Sequence, residues 1–280
     1  MKLQQIRNAT LKLTYAGKVL LTDPYLAEKH SMVSYRGDQR SPLVELPFSI
    51  KDVLDGVEMV LVSHIHSDHF DKTAQKNLSK KLPLYCQPTD ATVIKKIGFH
   101  QVVPVYDSVC WEGITITRTE GRHGSGDVLK EMGEVSGYVL QAEDEPIVYW
   151  AGDTVLYDAV FNIISEFKPD IILTHSCGAI WGDHVPIIMN AEQTVSLCKA
   201  VPQTVVVATH MGTVDHGTVT REDLRTYAGK KGVLPSQLRI PEDGGILNFY
   251  KYGTKKAKAY QVRQVLKAIE RLEVENGNKK

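Results

Sequence analysis

Short apolar runs broken by turn residues dominate the pattern along this chain, and the runs change character from one third to the next. In the opening third, residues 3–7, 11–15 and 18–22 alternate in the manner of strands. Asn8 and Ala16-Gly17 supply turn chemistry between them, which predicts an antiparallel meander leading to Asp23-Pro24. Periodicity then fails from 27 to 50, where Gly37, Pro42 and Pro47 interrupt the chain, so this stretch reads as a long loop of the functional kind. A wholly apolar strand follows at 59–62, with a surface helix over 72–81, strands at 84–86, 102–106 and 114–119, and a short helix at 91–97. Further on, strands are expected at 137–141, 147–150, 171–173 and 204–208. Helices are expected over 157–167, from an Asn190 cap to 199, and from the Thr220/Asp223 capping box to 230. Meanders alternating with helices indicate α/β layering in a single domain spanning 1–280. The tail carries Val262, Val265, Leu266, Ile269 and Leu272 at helical spacing, predicting a helix over 256–275 whose apolar stripe packs on the body or forms a homo-oligomer contact.

The chemistry concentrates at strand ends. Directly after 59–62 comes Ser63-His64-Ile65-His66-Ser67-Asp68-His69. An extended backbone places residues i and i+2 on one side, so His64 and His66 can chelate one ion, and a turn into the next helix brings Asp68 and His69 to a second. Three downstream residues share the same context, the turn after an apolar strand: His123 in a glycine-rich turn, Asp153 and His210. Singly, each also suits a structural role; with the first motif, the ligand reading prevails. Imidazoles and carboxylates without thiolate suit Zn²⁺, and also Mn²⁺ or Fe²⁺. Asp23 is a candidate acceptor for the second N–H of a ligand histidine. His175, His184 and His216 are candidate pocket residues, as are Trp181, Tyr157, Tyr35, Arg36 and Arg40.

Composition narrows the partners. Lys+Arg and Asp+Glu number 33 each in 280 residues, so bulk charge favours neither nucleic acid nor an anionic membrane. No apolar run approaches the roughly 20 residues of a membrane span, and the first residues lack a signal-peptide core, so a cytoplasmic protein acting on a small molecule is expected. The four cysteines, Cys86, Cys110, Cys177 and Cys198, lack paired spacing and read as buried reduced thiols, with Cys177 placed near His175.

On these motifs the chain resembles the metallo-β-lactamase superfamily from about residue 6 to 249. His64-x-His66-x-Asp68-His69 is similar to its signature, and His123, Asp153 of Gly152-Asp153-Thr154 and His210 follow in its order. Residues 11–26, ending Leu21-Thr22-Asp23-Pro24-Tyr25-Leu26, and Met189-Asn190-Ala191-Glu192-Gln193 resemble the branch containing ascorbate-6-phosphate lactonases and N-acyl-phosphatidylethanolamine phospholipases D. Many members of that branch carry Gly-His in the first turn; here it is Arg7-Asn8-Ala9-Thr10. The resemblance implies a four-layer αββα sandwich with two divalent metal ions at one edge. It puts His64, His66 and His123 on the first ion, Asp68, His69 and His210 on the second, and Asp153 between them.

The expected chemistry is binuclear metallohydrolysis: a metal-bridging hydroxide cleaves an ester, lactone or phosphodiester bond, with Asp68 passing the proton to the leaving group. Three other readings are weaker. A di-iron redox enzyme would call for a flavin or rubredoxin-like partner domain. A nucleic-acid phosphodiesterase would call for an added clamping domain, and a non-catalytic metal scaffold would not need so complete a ligand set.

Overall fold

A computed structural model describes residues 1–251, of which Met1–Tyr250 form one compact unit. The helix expected over 256–275 lies outside the described residues.

Two seven-stranded sheets carry the fold. In space, the first runs Ile246–Asn248, Lys2–Arg7, Thr10–Tyr15, Lys18–Thr22, Met59–Val62, Pro83–Cys86 and Gln101–Pro104. Its first three pairings are antiparallel, as tight turns at Asn8 and Ala16-Gly17 permit, and its last three are parallel, each requiring a crossover. The second sheet repeats the scheme: Ser108–Trp111, Ile114–Glu120, Ser136–Gln141 and Val148–Trp150 pair antiparallel. Ile171–His175, Val205–Thr209 and Leu238–Arg239 then add in parallel.

Period-two alternation sorts the side chains into layers. Leu13, Leu20, Met59 and Leu61 face Ile116, Tyr138, Leu140, Trp150 and Leu173 across the inter-sheet core. Their neighbours in sequence face outward: Val60, Val62 and Leu84 meet Ala74 and Ile94, from the helices Lys72–Asn77 and Ala91–Lys96. On the other side, Val139, Tyr149 and Ile172 meet Val160 and Ile163 of the helix Asp158–Phe167, and Val206 and Ala208 meet Val195 and Leu224. The result is the expected αββα layering.

Differences from the sequence reading are local. The helix expected over 72–81 stops at Asn77, where Leu78 leaves helical geometry and buries its side chain in the outer layer. The half-exposed edge strand Ser108–Trp111 and the short strands Leu238–Arg239 and Ile246–Asn248 carry too few alternating positions to announce themselves. Cys86, Cys177 and Cys198 are buried thiols, whereas Cys110, on that edge strand, is exposed. Among the described residues no helix is long and apolar enough to cross a membrane.

The long loop is held down from beneath. The buried Arg7 guanidinium donates to the carbonyls of Tyr25 (3.0 Å), Ala27 (2.7 Å) and Val44 (3.0 Å). At its far bend the Asp215 carboxylate accepts from the backbone N–H groups of Tyr35 (2.9 Å) and Arg36 (3.1 Å) and from the Ser34 hydroxyl.

Candidate metal centre

Six strands aim their C-terminal ends at one edge of the sandwich, the usual place for ligands in α/β architectures. There Lys18–Thr22 delivers Asp23, Met59–Val62 delivers the Ser63–His69 turn, Ile114–Glu120 delivers His123, and Val148–Trp150 delivers Asp153. Ile171–His175 ends in His175, and Val205–Thr209 is followed by His210. His210 takes a left-handed backbone conformation (φ 59°).

These residues form two adjoining groups. His64, His66 and His123 converge in one, with His64 Nε2 3.0 Å from His66 Nδ1. His69, Asp153, His175 and His210 converge in the other, with His69 Nε2 3.2 Å from His210 Nε2 and Asp68 Oδ2 3.2 Å from His210 Nε2. Asp153 Oδ2 lies between the groups, 3.2 Å from His69 Nε2, 3.4 Å from His123 Nε2 and 3.8 Å from His64 Nε2. Every residue singled out from the sequence as a metal ligand is therefore in this one cluster.

Hydrogen-bond polarity assigns the tautomers. His69 Nδ1–H donates to Asp23 Oδ2 (2.7 Å), and His123 Nδ1–H donates to the Ile187 carbonyl (2.8 Å). Ser63 Oγ–H is committed to Asp23 Oδ2 (2.6 Å), so Ser63 Oγ accepts from His64 Nδ1–H (2.9 Å). His210 Nδ1 faces Cys177 Sγ at 3.6 Å. In His64, His69 and His123 the outer nitrogen thus carries a proton, which turns the inner nitrogen towards the cluster as in histidines that ligate a metal. Ring nitrogens 3.0–3.2 Å apart need a proton or a cation between them.

His175 breaks the pattern, and its polarity is reversed. Trp150 Nε1–H donates to His175 Nε2 (3.1 Å), which leaves the proton on Nδ1, donating to Asp153 Oδ1 at 2.5 Å. Although it lies among the ligand types, His175 has no lone pair left to offer and serves to orient Asp153.

The electrostatics express the same need for positive charge. Burial, reinforced by the neighbouring His69 and His66, holds His64 well below the usual histidine range, and burial brings His123 down to about 4. Burial also opposes protonation of His69 and His210, but the carboxylates outweigh it: Asp153, Asp68 and Asp23 push His69 up to about 10, and Asp153 leads the rise at His210. Asp68 and Asp153, despite burial, are held well below the carboxylate range, with His69 the leading opposing charge for both. The donor set thus fits divalent cations, which would replace the protons on His69 and His210.

One contributor had no signal in the sequence. Asn8, in the first turn where the related branch carries Gly-His, donates from Nδ2 to the Asp68 carbonyl (3.1 Å) and lies 3.4 Å from Asp68 Oδ2 and 3.3 Å from His210 Nε2.

Above the cluster lies a cavity of about 230 Å³, walled by Tyr35, Met132, Ala179, Trp181 and Ile187 and floored by His66, Asp68, His123, Asp153 and His210, with His216 and Ser67 at its sides. Of the sequence candidates for the pocket, Tyr35, Trp181 and His216 line it. Arg36 pairs with Asp38 (3.4 Å), Arg40 donates to the carbonyls of His30 and Ser31 (both 2.9 Å), and Tyr157 stacks on Arg122 (4.4 Å). His184 sits exposed in the turn between the short strands Ile180–Trp181 and Val185–Pro186.

Residues 19–211 match the profile described as the Beta-lactamase superfamily domain, more than half of the chain. The chain belongs to the metallo-β-lactamase superfamily. Within it, this chain is 39% identical to the UPF0173 protein YddR of Bacillus subtilis over 89% of its own length and 100% of that protein's. It is 24% identical to a UPF0173 metal-dependent hydrolase of Xanthobacter autotrophicus, over 61% of this chain and 70% of the other. Among solved structures, it is similar to an isothiocyanate hydrolase from Delia radicum gut bacteria, with TM-score 0.86, 36% identity, and 90% of this chain and 100% of that one covered. The metallo hydrolase Igni18 of Ignicoccus hospitalis shares the fold, with TM-score 0.68 at 20% identity over 89% of this chain and 98% of the other. The protein is a member of a family of metal-dependent hydrolases with a His/Asp cluster suited to metal.

Proposed function

We propose that this chain is a two-metal hydrolase acting on small, neutral electrophilic carbon, with isothiocyanates as the favoured class and esters and lactones as its chemical neighbours. One observation carries the reading. The cavity over the donor cluster is walled by aromatic and aliphatic side chains, and among the described residues no lysine or arginine lines it. A phosphodiester would bring an anion against these apolar walls with no lysine or arginine among the described residues to meet it, whereas a compact neutral group would be held by dispersion and desolvation. The likeness to an isothiocyanate hydrolase at 36% identity points the same way.

In this reading His64, His66 and His123 hold one ion, Asp68, His69 and His210 the other, and Asp153 lies between. Divalent ions there would supply a hydroxide at neutral pH and polarise the electrophile. The chain's own residues do the rest. Asp23 and Ser63 keep His64 and His69 in their ligating tautomers, and the apolar walls exclude bulk water. Asp68, whose Oδ2 borders both His210 and the cavity, receives a proton and returns it to the leaving group. For an isothiocyanate the balance is R–N=C=S + H₂O → R–NH₂ + O=C=S: water adds to carbon, the C–N bond breaks, and nitrogen gains both protons.

Turnover of benzyl isothiocyanate, a phenyl ester, a lactone and an aryl phosphodiester, with and without chelator, tests the class. Chelator-sensitive hydrolysis of the neutral substrates, with the phosphodiester slower by at least about 100-fold, is expected from the apolar walls of the pocket. A preference for the phosphodiester would overturn the assignment.

Metal loading is also expected to release protons. His69 is raised from its ordinary range to about 10 in the metal-free protein, so it is protonated at pH 7 and the cation must displace that proton. Apparent metal affinity therefore climbs as pH rises from about 6.5 towards 10 and falls on acidification. The stability that protonated His69 lends the metal-free protein is fully present below the unfolded value and is lost as pH rises through 10. Calorimetry in buffers of different ionisation enthalpy reads the proton count directly; zero protons released at pH 7 would contradict the ligand role of His69.

A third expectation concerns His175. Its exchange for phenylalanine keeps every proposed ligand, so metal content is expected to persist, while kcat falls roughly 10- to 100-fold as Asp153 loses its orienting donor. Loss of one ion per chain would instead make His175 a ligand.

A further inference from the structure

We propose that His216 is a catalytic residue of this site, its cavity-facing imidazole N–H donating a hydrogen bond to the substrate heteroatom on which charge develops. The inference rests on the hydrolase reading above but assigns a residue that the metal groups leave out.

His216 is only 7% exposed, yet its Nδ1 is sealed from solvent with no hydrogen-bond partner among the described residues. This sets it apart from His64, His69 and His123, whose outer nitrogens donate to Ser63, Asp23 and the Ile187 carbonyl. Nδ1 is closed off from any incoming molecule, so the ring's remaining hydrogen-bonding capacity lies at Nε2. The unpartnered nitrogen favours a bare lone pair over an orphaned N–H, because orphaned donors are the rarer and costlier case. That places the proton on Nε2, the nitrogen left for the cavity that His216 lines beside Asp68, Asp153 and His210.

The ring is held for this purpose. The Tyr35 ring lies 4.8 Å away at 57° and the Trp181 ring 6.4 Å away at 82°. Tyr35 is itself fixed by its hydroxyl against Ser67 Oγ (2.6 Å) and by its backbone N–H on Asp215. Trp181 is fixed by Nε1–H on Glu131 (2.9 Å). A donor held in place before substrate enters needs no reorganisation when charge appears. Burial lowers the His216 pKa, with Asp68 and Asp153 opposing and His210 adding to the fall, and Asp215, the adjacent residue, raises it. The ring is then a neutral donor, and no proton transfer through it is required.

The test uses the full-length, metal-loaded protein and three forms: wild type, His216→Phe and His216→Asn. Phenylalanine keeps the aromatic packing and removes the N–H, while asparagine restores a shorter donor. With benzyl isothiocyanate, kcat is expected to fall roughly 10- to 100-fold in the phenylalanine form and to recover in part in the asparagine form, with metal content and Tm unchanged. Thiocyanate ion, a linear N–C–S probe that needs no turnover, is expected to bind the phenylalanine form at least about fivefold more weakly by calorimetry. If the phenylalanine form loses metal or Tm, the ¹⁵N signal of the wild-type His216 ring decides instead, and it is expected to shift when thiocyanate is added. Wild type that binds thiocyanate but hydrolyses no isothiocyanate would sink the proposed function, leaving His216 to be judged on the affinity ratio. Equal thiocyanate affinity in the two forms, an unmoved ring signal, or no thiocyanate binding by loaded wild type would overturn the assignment.

Discussion

Exchanging Asp153 for asparagine is expected to cost at least one metal ion per chain and to lower kcat/KM by about 10³-fold or more. The reason is its position rather than its charge alone. Oδ2 is the atom common to both donor groups, within 3.2–3.8 Å of inner nitrogens of His69, His123 and His64, while Oδ1 is taken by His175. An amide keeps the volume but loses the anion that offsets two cations. Its NH₂ group, if turned inward, would present hydrogens to lone pairs that expect a metal. Metal analysis of the purified variant beside its kinetics checks this; full metal content with wild-type turnover would remove Asp153 from the centre.

Asp23→Ala is expected to be the most damaging change outside the proposed ligands. The carboxylate is fully buried and accepts from Ser63 N–H (2.7 Å), Ser63 Oγ–H (2.6 Å) and His69 Nδ1–H (2.7 Å). Alanine leaves these donors unpaired inside the protein, and at roughly 1–3 kcal/mol for each buried orphan the loss of stability should reach several kcal/mol. It also frees His69 to adopt the wrong tautomer and releases Ser63, the partner of His64, so metal affinity should drop by about 10- to 100-fold. Chemical denaturation and metal titration read the two effects separately. A stable variant with unchanged affinity would show that the outer hydrogen bonds do not control the centre.

These effects explain which parts of the site the sequence could reveal. His64, His66, Asp68 and His69 are legible because a strand end imposes their spacing, and His123, Asp153 and His210 because each follows an apolar strand that must end at the same edge. His175 has that same context and the opposite role. What separates it from His210 is one donor, the Trp150 indole, brought alongside by parallel pairing of Trp150 with Leu173. No spacing rule contains that information. Asn8 reaches Asp68 across 60 positions only because the first meander folds under the metal loop. The pocket is harder still: Tyr35, Trp181 and His216 come from separate segments, and the bend bearing Tyr35 is fixed by Asp215, 180 residues away. The layers themselves were legible wherever strands were long and alternating. The edge strands Ser108–Trp111, Leu238–Arg239 and Ile246–Asn248 give no signal in the sequence because so few alternating positions cannot establish a period.

The proposed function calls for two divalent ions held by this cluster, with Asp153 between them. Anomalous diffraction from crystals of the metal-loaded protein, collected at the metal edge, tests it most directly. The account predicts two peaks, one enclosed by His64, His66 and His123 and one by Asp68, His69 and His210, with Asp153 Oδ2 touching both. A single peak, a peak ligated by His175, or no peak after loading at neutral pH would contradict it.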